Sequence, residues 1–314
     1  MSAILEEHIE YLSLSGRSAA YERAIARTIR AGDVVADLGC GVGVLGLACL
    51  RAGAARVYGI DKSDAIAIAR ETMAREGLSE RYICIRSSTF DTTLPEPVDA
   101  IICDHLGWFG FDYGIIPMLR DARQRLLKSD GVILPRSLRM MIASTSSLPA
   151  RARAEAWRHA LVPAEYHWLE EYGLNTKHPH FFAAEEIASA PAILGAVDLA
   201  ADTPDEYHFS TRLTAAMQHT MQGIAGWFAG ELAQDVWLTN SPIEHGAIAR
   251  NQVFLPVREP IALQAGEEVE VSLRFRFDSE LFGWSVRGPD GRRQKMSTFK
   301  STILSDADLG RCKS

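Results

Sequence analysis

Over the first 137 residues the apolar positions fall into short runs, and helix-spaced stretches separate them. Val34, Val35, Ala36 and Leu38 form one run, interrupted only by Asp37 and stopped by the glycines that follow. A short apolar run bounded by turn residues reads as a buried strand. The pattern repeats in Arg56-Val57-Tyr58-Gly59-Ile60 before Asp61, in Tyr82-Ile83-Cys84-Ile85-Arg86, and in Val98-Asp99-Ala100-Ile101-Ile102-Cys103 before Asp104. Gly131-Val132-Ile133-Leu134-Pro135 gives a fifth run. Helical spacing covers residues 3–30, where Arg17, Tyr21 and Ile25 fall on one face, then the Ala-rich stretch after the glycines, then 63–76 with Ser63 as N-cap, and 115–128. Strand and helix in alternation predict an α/β fold, a doubly wound parallel, Rossmann-like sheet with its ligand at the carboxyl ends of the strands.

Beyond Pro135 to Arg139 the pattern changes. Short β-rich runs at 140–144, 253–257, 268–277 and 282–286 carry punctuation such as Gln264-Ala265-Gly266-Glu267. An antiparallel, β-barrel-like domain is expected there, which divides the chain into domains at 1–137 and 138–314. Residues 151–205 are mixed and proline-spaced and receive no assignment, and the polar tail from Ser301 is expected to fray.

The chemistry begins at the turn after the first strand. Asp37, Gly39, Gly41 and Gly43 spell Asp-x-Gly-x-Gly-x-Gly. Glycines there let a backbone approach a ligand closely, and Asp61, about 20 residues on at the tip of the second strand, is placed to take a ribose diol. A dinucleotide would bring a pyrophosphate to the helix N-terminus, which an acid at Asp37 opposes. S-adenosylmethionine has no phosphate, and its sulfonium and amino group are cationic, so it suits the acidic loop better. The arrangement resembles motif I of class I methyltransferases. The candidate cofactor residues are Asp37, Gly39, Cys40, Gly41 and Asp61 with Lys62 beside it. Thr89 and Phe90 lie at the adenine edge after the third strand, and Asp104 follows the fourth. Arg17, on the helix before the loop, is placed to reach the methionyl carboxylate.

Composition narrows the partners. The net charge of −7 and pI near 5.8 leave no basic footprint for nucleic acid. No apolar stretch approaches the length of a membrane span, and the first ten residues carry three glutamates and no basic n-region, so neither a membrane partner nor a signal peptide is expected. The five cysteines include no Cys-x-x-Cys pair, as expected for reduced thiols in the cytoplasm. His178-Pro179-His180 lacks the companions of a zinc site, and no metal is expected.

With both halves in view the chain resembles the protein arginine N-methyltransferases, particularly their short bacterial relatives. The motif I loop, Asp61, Arg17, the strand into Asp104 and the strand at Gly131 to Pro135 carry the likeness in the first half. Gly226-Trp227-Phe228, Ser241-Pro242 and Asn251-Gln252-Val253-Phe254 carry it in the second. The resemblance implies N-methylation of an arginine, guanidino or amine substrate, small or peptidyl, and a homodimer. In that family two glutamates of one hairpin grip the guanidinium. Here the first position is Asp104, one methylene shorter, and the second falls on Tyr113 with Asp112 beside it. The family's Thr-His-Trp loop corresponds to Glu244-His245-Gly246, so the expected catalytic set is Asp104, Asp112, Tyr113 and His245. Trp108, Phe109 and Phe111 offer either an aromatic box for a cationic or flat substrate or hairpin core. The altered hairpin leaves two alternatives open: O- or heteroaromatic N-methylation of a small molecule, and a non-catalytic cofactor-binding homologue.

Overall fold

In the computed structural model, residues 2–276 and 281–298 are described, and the expectation for the tail from Ser301 lies outside them. The elements of the first part are α1 (Ser2–Ser13), α2 (Ser15–Thr28), β1 (Val34–Leu38), α3 (Val44–Arg51), β2 (Arg56–Asp61), α4 (Ala65–Arg75), β3 (Tyr82–Arg86), β4 (Val98–Cys103), α5 (Ile115–Arg125) and β5 (Leu127–Leu134). They build a five-stranded parallel sheet in the order β3-β2-β1-β4-β5. Val35, Ala36, Leu38, Ile60, Ile101 and Ile102 are fully buried, because helices on both faces leave no polar side to alternate with.

Register sets up the site. Leu38 pairs with Ile60 on one side and with Cys103 on the other. The next residues, Gly39, Asp61 and Asp104, therefore leave three neighbouring strands at one level of the carboxyl edge. The strand order also reverses at β1, between β2 and β4, which is where such sheets open a crevice.

Three expectations shift in detail. The helix expected over 3–30 is two helices, since Leu14 leaves helical geometry at φ −74° and ψ 78°, flanked by Ser13, Ser15 and Gly16, which favour helix weakly. Asp64, not Ser63, occupies the cap position of α4, while Ser63 Oγ accepts the Ala65 N–H at 3.3 Å. Strand β5 begins at Leu127, with a register irregularity opposite Val98 to Ala100 that accommodates the added residues.

The later elements are β6 (Ser137–Thr145), α6 (Leu148–Ala154), α7 (Glu170–Leu174), β7 (His178–His180), β8 (Ala192–Asp198), β9 (Glu206–Thr214), β10 (His219–Ala233), β11 (Val236–Thr239), β12 (Gln252–Leu263), β13 (Glu268–Arg276), β14 (Phe282–Arg287) and β15 (Arg293–Ser297). They form the expected antiparallel part as two sheets. One has the order β7-β12-β10-β6-β8 with β11 on β10, and the other the order β15-β14-β13-β9. Residues 151–205, unassigned from sequence, hold short helices, β7 and β8.

The chain separates into two compact units. The first comprises 1–139, 196–203 and 228–249, and the second 140–195, 204–227 and 250–314. The core of the second unit gathers Ala143, Leu174, Phe182, Ala225, Trp227 and Phe254, and the rings of Phe182 and Phe254 lie 6.4 Å apart. Truncating a fully buried ring leaves a cavity that a β-sheet core cannot close. Phe254→Ala should therefore lower stability by about 3–5 kcal/mol, read as a lower urea midpoint.

Candidate active site

Four segments of the first unit converge at the carboxyl edge of the sheet: α2, the glycine loop after β1, the tip of β2 and the segment after β4. The loop is stitched to β2, because the N–H groups of Gly39 and Cys40 both donate to the Ile60 carbonyl, at 2.8 and 3.1 Å. Gly39 and Gly41 have φ of +63° and +53°, in the left-handed region that a side chain disfavours. Asp61 closes the same turn. Its Oδ2 accepts the Gly41 N–H at 2.8 Å, and its Oδ1 accepts the Ser63 N–H at 2.7 Å.

Asp37 sits beneath the loop. Its Oδ2 accepts the Gly46 N–H at 2.9 Å and the Tyr82 hydroxyl at 3.1 Å. Burial outweighs these two donors and pushes its carboxyl up to about 7.

Asp104 is held from two sides. The guanidinium of buried Arg17 pairs with its Oδ2, Nε donating at 2.5 Å and Nη2 also in contact. The hydroxyl of Tyr21, one turn along α2, reaches its Oδ1 at 2.7 Å and the Cys103 carbonyl at 3.2 Å. Burial works against the Arg17 charge, but Asp104 and the neighbouring Tyr21 outweigh it and raise the guanidinium's pKa. Burial, reinforced by Asp104, drives the Tyr21 phenol well above its ordinary range, so it stays a donor. Arg17 also faces the rings of Tyr11 and Tyr21 at 5.5 and 5.3 Å.

One cleft brings together Arg17, Asp37, Gly39, Cys40, Gly41, Asp61, Asp104 and Tyr113. Other expected residues stand apart from its lining. The Oδ2 of Asp112 accepts the Phe109 N–H at 2.6 Å, so that carboxylate shapes the loop. His245 and Lys62 are exposed. Thr89 is buried with its carbonyl accepting from Arg125, and Phe90 is half exposed. The aromatic box does not form as a unit: Phe109 and Phe111 are buried in the hairpin, their rings 5.4 Å apart, whereas Trp108 meets Tyr113 edge-on.

The sequence reading passed over three residues. His8, Tyr11 and His105 also line the cleft, and adjacency to Asp104 was the available signal for His105. It also missed Asn240, whose buried side chain accepts the Phe228 N–H and donates to the Trp108 carbonyl at 2.9 Å, anchoring the segment after β4.

The profile of the ribosomal protein L11 methyltransferase (PrmA) family matches residues 21–135. Among curated relatives, the arginine N(omega)-methyltransferase of Streptomyces achromogenes subsp. streptozoticus is 29% identical over 88% of this chain and 76% of its own length. The probable protein arginine N-methyltransferase 6 of Arabidopsis thaliana is 27% identical over 72% of this chain. The chain spans only 54% of that relative's length. Among solved structures, the Trypanosoma brucei PRMT1 enzyme-prozyme heterotetrameric complex with AdoHcy superposes with a TM-score of 0.81 at 20% identity, covering 92% of this chain and 97% of its own. Arabidopsis thaliana protein arginine methyltransferase 10, in an open conformation, gives 0.80 at 22% identity, covering 94% and 98%. The structural likeness concerns the fold.

Fold and cleft together resemble those of class I methyltransferases, whose cofactor is S-adenosylmethionine. Within that class the chain resembles the protein arginine N-methyltransferases. The residues present fit the cofactor. Arg17 Nη1 is buried and makes no hydrogen bond among the described residues, a donor left over for a carboxylate. The buried carboxyl of Asp37 favours a cation above the loop, since a positive charge would offset its desolvation.

The raised Asp37 carboxyl has a consequence for stability. Between about pH 4 and 7 the unfolded chain ionises this group while the folded chain keeps the proton, so its contribution to stability falls as pH rises, by up to about 1.4 kcal/mol per unit. Asp37→Asn keeps the shape and removes the titration. Urea melts of both proteins at about pH 5 and about pH 8 should show the wild type losing stability relative to the variant.

Proposed function

We propose that this methyltransferase transfers the methyl group to a nitrogen of an arginine, guanidino or amine substrate that Asp104 orients. The observation that carries this reading is Asp104 itself, an acid fixed in the cleft at the end of β4 by Arg17 and Tyr21. When bound, S-adenosylmethionine supplies an electrophilic methyl on a cationic sulfur. In this reading Arg17 Nη1 takes the cofactor's carboxylate and Asp61 its ribose diol, and the backbone of Gly39 and Gly41 admits it closely. Asp104 retains a lone pair on Oδ1, so it can accept an N–H of a substrate and aim the nitrogen, which is catalysis by positioning.

A second reading has its own support. Tyr113 presents a phenol where the family has its second glutamate, and Asp112 is engaged with the Phe109 amide. A single acid already paired with Arg17 attracts a guanidinium less strongly than two carboxylates would. A small amine or heteroaromatic nitrogen therefore suits the cleft as well as a peptidyl arginine does. Exposed Leu161, Tyr166 and Trp168 support a contact between two copies of the chain. The free thiols of Cys40, Cys49, Cys84 and Cys103 support a reducing, cytoplasmic setting.

Calorimetric titration with S-adenosylmethionine and with its demethylated product tests the reading, on wild type and on Asp61→Ala. Micromolar binding by wild type, weakened at least about tenfold in the variant, is expected. Incubation with cofactor and free L-arginine, an arginine peptide or small amines should then yield a product heavier by one methyl. Folded wild type that binds neither ligand overturns the methyltransferase reading, and transfer to oxygen only overturns the nitrogen assignment.

A further inference from the structure

Next to Asp104 the chain carries a histidine with a defined seat. The imidazole of His105 lies over the backbone of Gly39: a Cβ built there would come within 1.8 Å of its Cε1 and 2.8 Å of its Nε2. The first glycine of the loop is thus required by a side chain of this protein as well as by close approach of a ligand. A larger residue at position 39 would expel the ring from the cleft.

The buried wall takes up one ring nitrogen, Nδ1. Cys103 Sγ lies 3.6 Å from His105 Nδ1 and 3.8 Å from Met118 Sδ. Cys103 is fully buried, and burial raises its pKa, so it is a thiol with one hydrogen to give. Met118 Sδ can only accept, whereas His105 Nδ1 donates or accepts with the tautomer. With the ring proton on Nδ1, the Cys103 sulfur accepts it and gives its own hydrogen to Met118, and Nε2 keeps a bare lone pair. The chain Nδ1–H to Sγ–H to Sδ satisfies all three groups in the tautomer that presents Nε2 as an acceptor.

We propose that His105 Nε2 is the proton acceptor of the methyl-transfer reaction, a proposal that rests on the nitrogen-transfer reading above. The balance is simple. A substrate nitrogen forms a bond to the methyl carbon, the carbon–sulfur bond breaks with its pair passing to sulfur, and the nitrogen has one proton to lose. For a guanidinium the charge is the same before and after, so one proton must leave for every methyl gained. His105 Nε2 accepts it and passes it to solvent.

The surroundings suit the cycle. Burial lowers the imidazole's pKa, so the ring is neutral and ready to accept. Asp104 and Asp61 counter that effect and stabilise the transient imidazolium, while Lys62 opposes it and favours release. Arg17, Asp37, Cys40, His8, Tyr11 and Tyr113 are the other titratable groups lining the cleft. Arg17 is spent on Asp104, and among the expected bases His245 lies outside the lining.

The test uses purified full-length protein with S-adenosylmethionine and the acceptor that wild type methylates. In wild type, kcat should fall tenfold per pH unit below a midpoint under histidine's ordinary 6.5. His105→Asn should lose about 100-fold or more in kcat, keep cofactor binding within about threefold, and lose the acid limb. Added imidazole should restore part of the rate of His105→Ala. Wild type with no acid limb, or His105→Asn with kcat within about threefold of wild type and the limb retained, overturns the assignment while leaving the transfer reading intact. Wild type that binds no cofactor and methylates no nitrogen overturns both. If His105→Asn fails to bind cofactor, the wild-type limb and the rescue of His105→Ala decide.

Discussion

The ion pair between Arg17 and Asp104, closed by the Tyr21 hydroxyl, is the contact on which the cleft depends. It joins α2 to the end of the central sheet and holds two oppositely charged side chains away from water. Neither charge is tolerable there alone. Removing one partner of a buried pair typically costs about 3–5 kcal/mol, because the other is left uncompensated. The same pairing leaves Arg17 Nη1 without a hydrogen-bond partner among the described residues, a donor available to a ligand carboxylate. A single constraint therefore ties α2 to the end of β4 and sets the orientation of Asp104.

Around that pair, each glycine of the loop answers to a named neighbour. At Gly39 the neighbour is His105, and at Gly41 it is His8. Tyr82 from β3 stands under the loop and gives its hydroxyl to Asp37. The floor of the cleft is built from strand ends in register. Specificity is left to the segment after β4, which Asn240 and Asp112 pin by backbone hydrogen bonds.

Much of this was legible in the sequence, for a physical reason. A parallel sheet buried on both faces writes itself as continuous apolar runs, and the acids that end those runs stand out against them, as Asp61 and Asp104 do. Arg17 and Tyr21 were visible as one face of a helix. The segment after β4 was not readable in the same way. Its spacing put Tyr113 at the second position with Asp112 beside it as an acid, yet that carboxylate satisfies an amide three residues back, a choice that local loop geometry makes and composition does not reveal. Phe109 and Phe111 could be read as an aromatic box or as hairpin core, and they are core, since aromatic residues at alternating positions serve either purpose. His105 was hidden by its neighbours, because the seat that defines it is made by Gly39, far away in sequence.

The buried carboxyl of Asp37 carries one more consequence. A group that holds its proton up to about pH 7 in the empty cleft gives it up when a cation settles above it, so ligand capture and proton release become one event. Affinity for a cationic ligand then rises from acid pH up to about 7 and levels off above it, and so does the preference for a cationic ligand over a neutral product of the same shape. The loop that holds the ligand thereby senses the acidity of its surroundings without any part of the fold having to move.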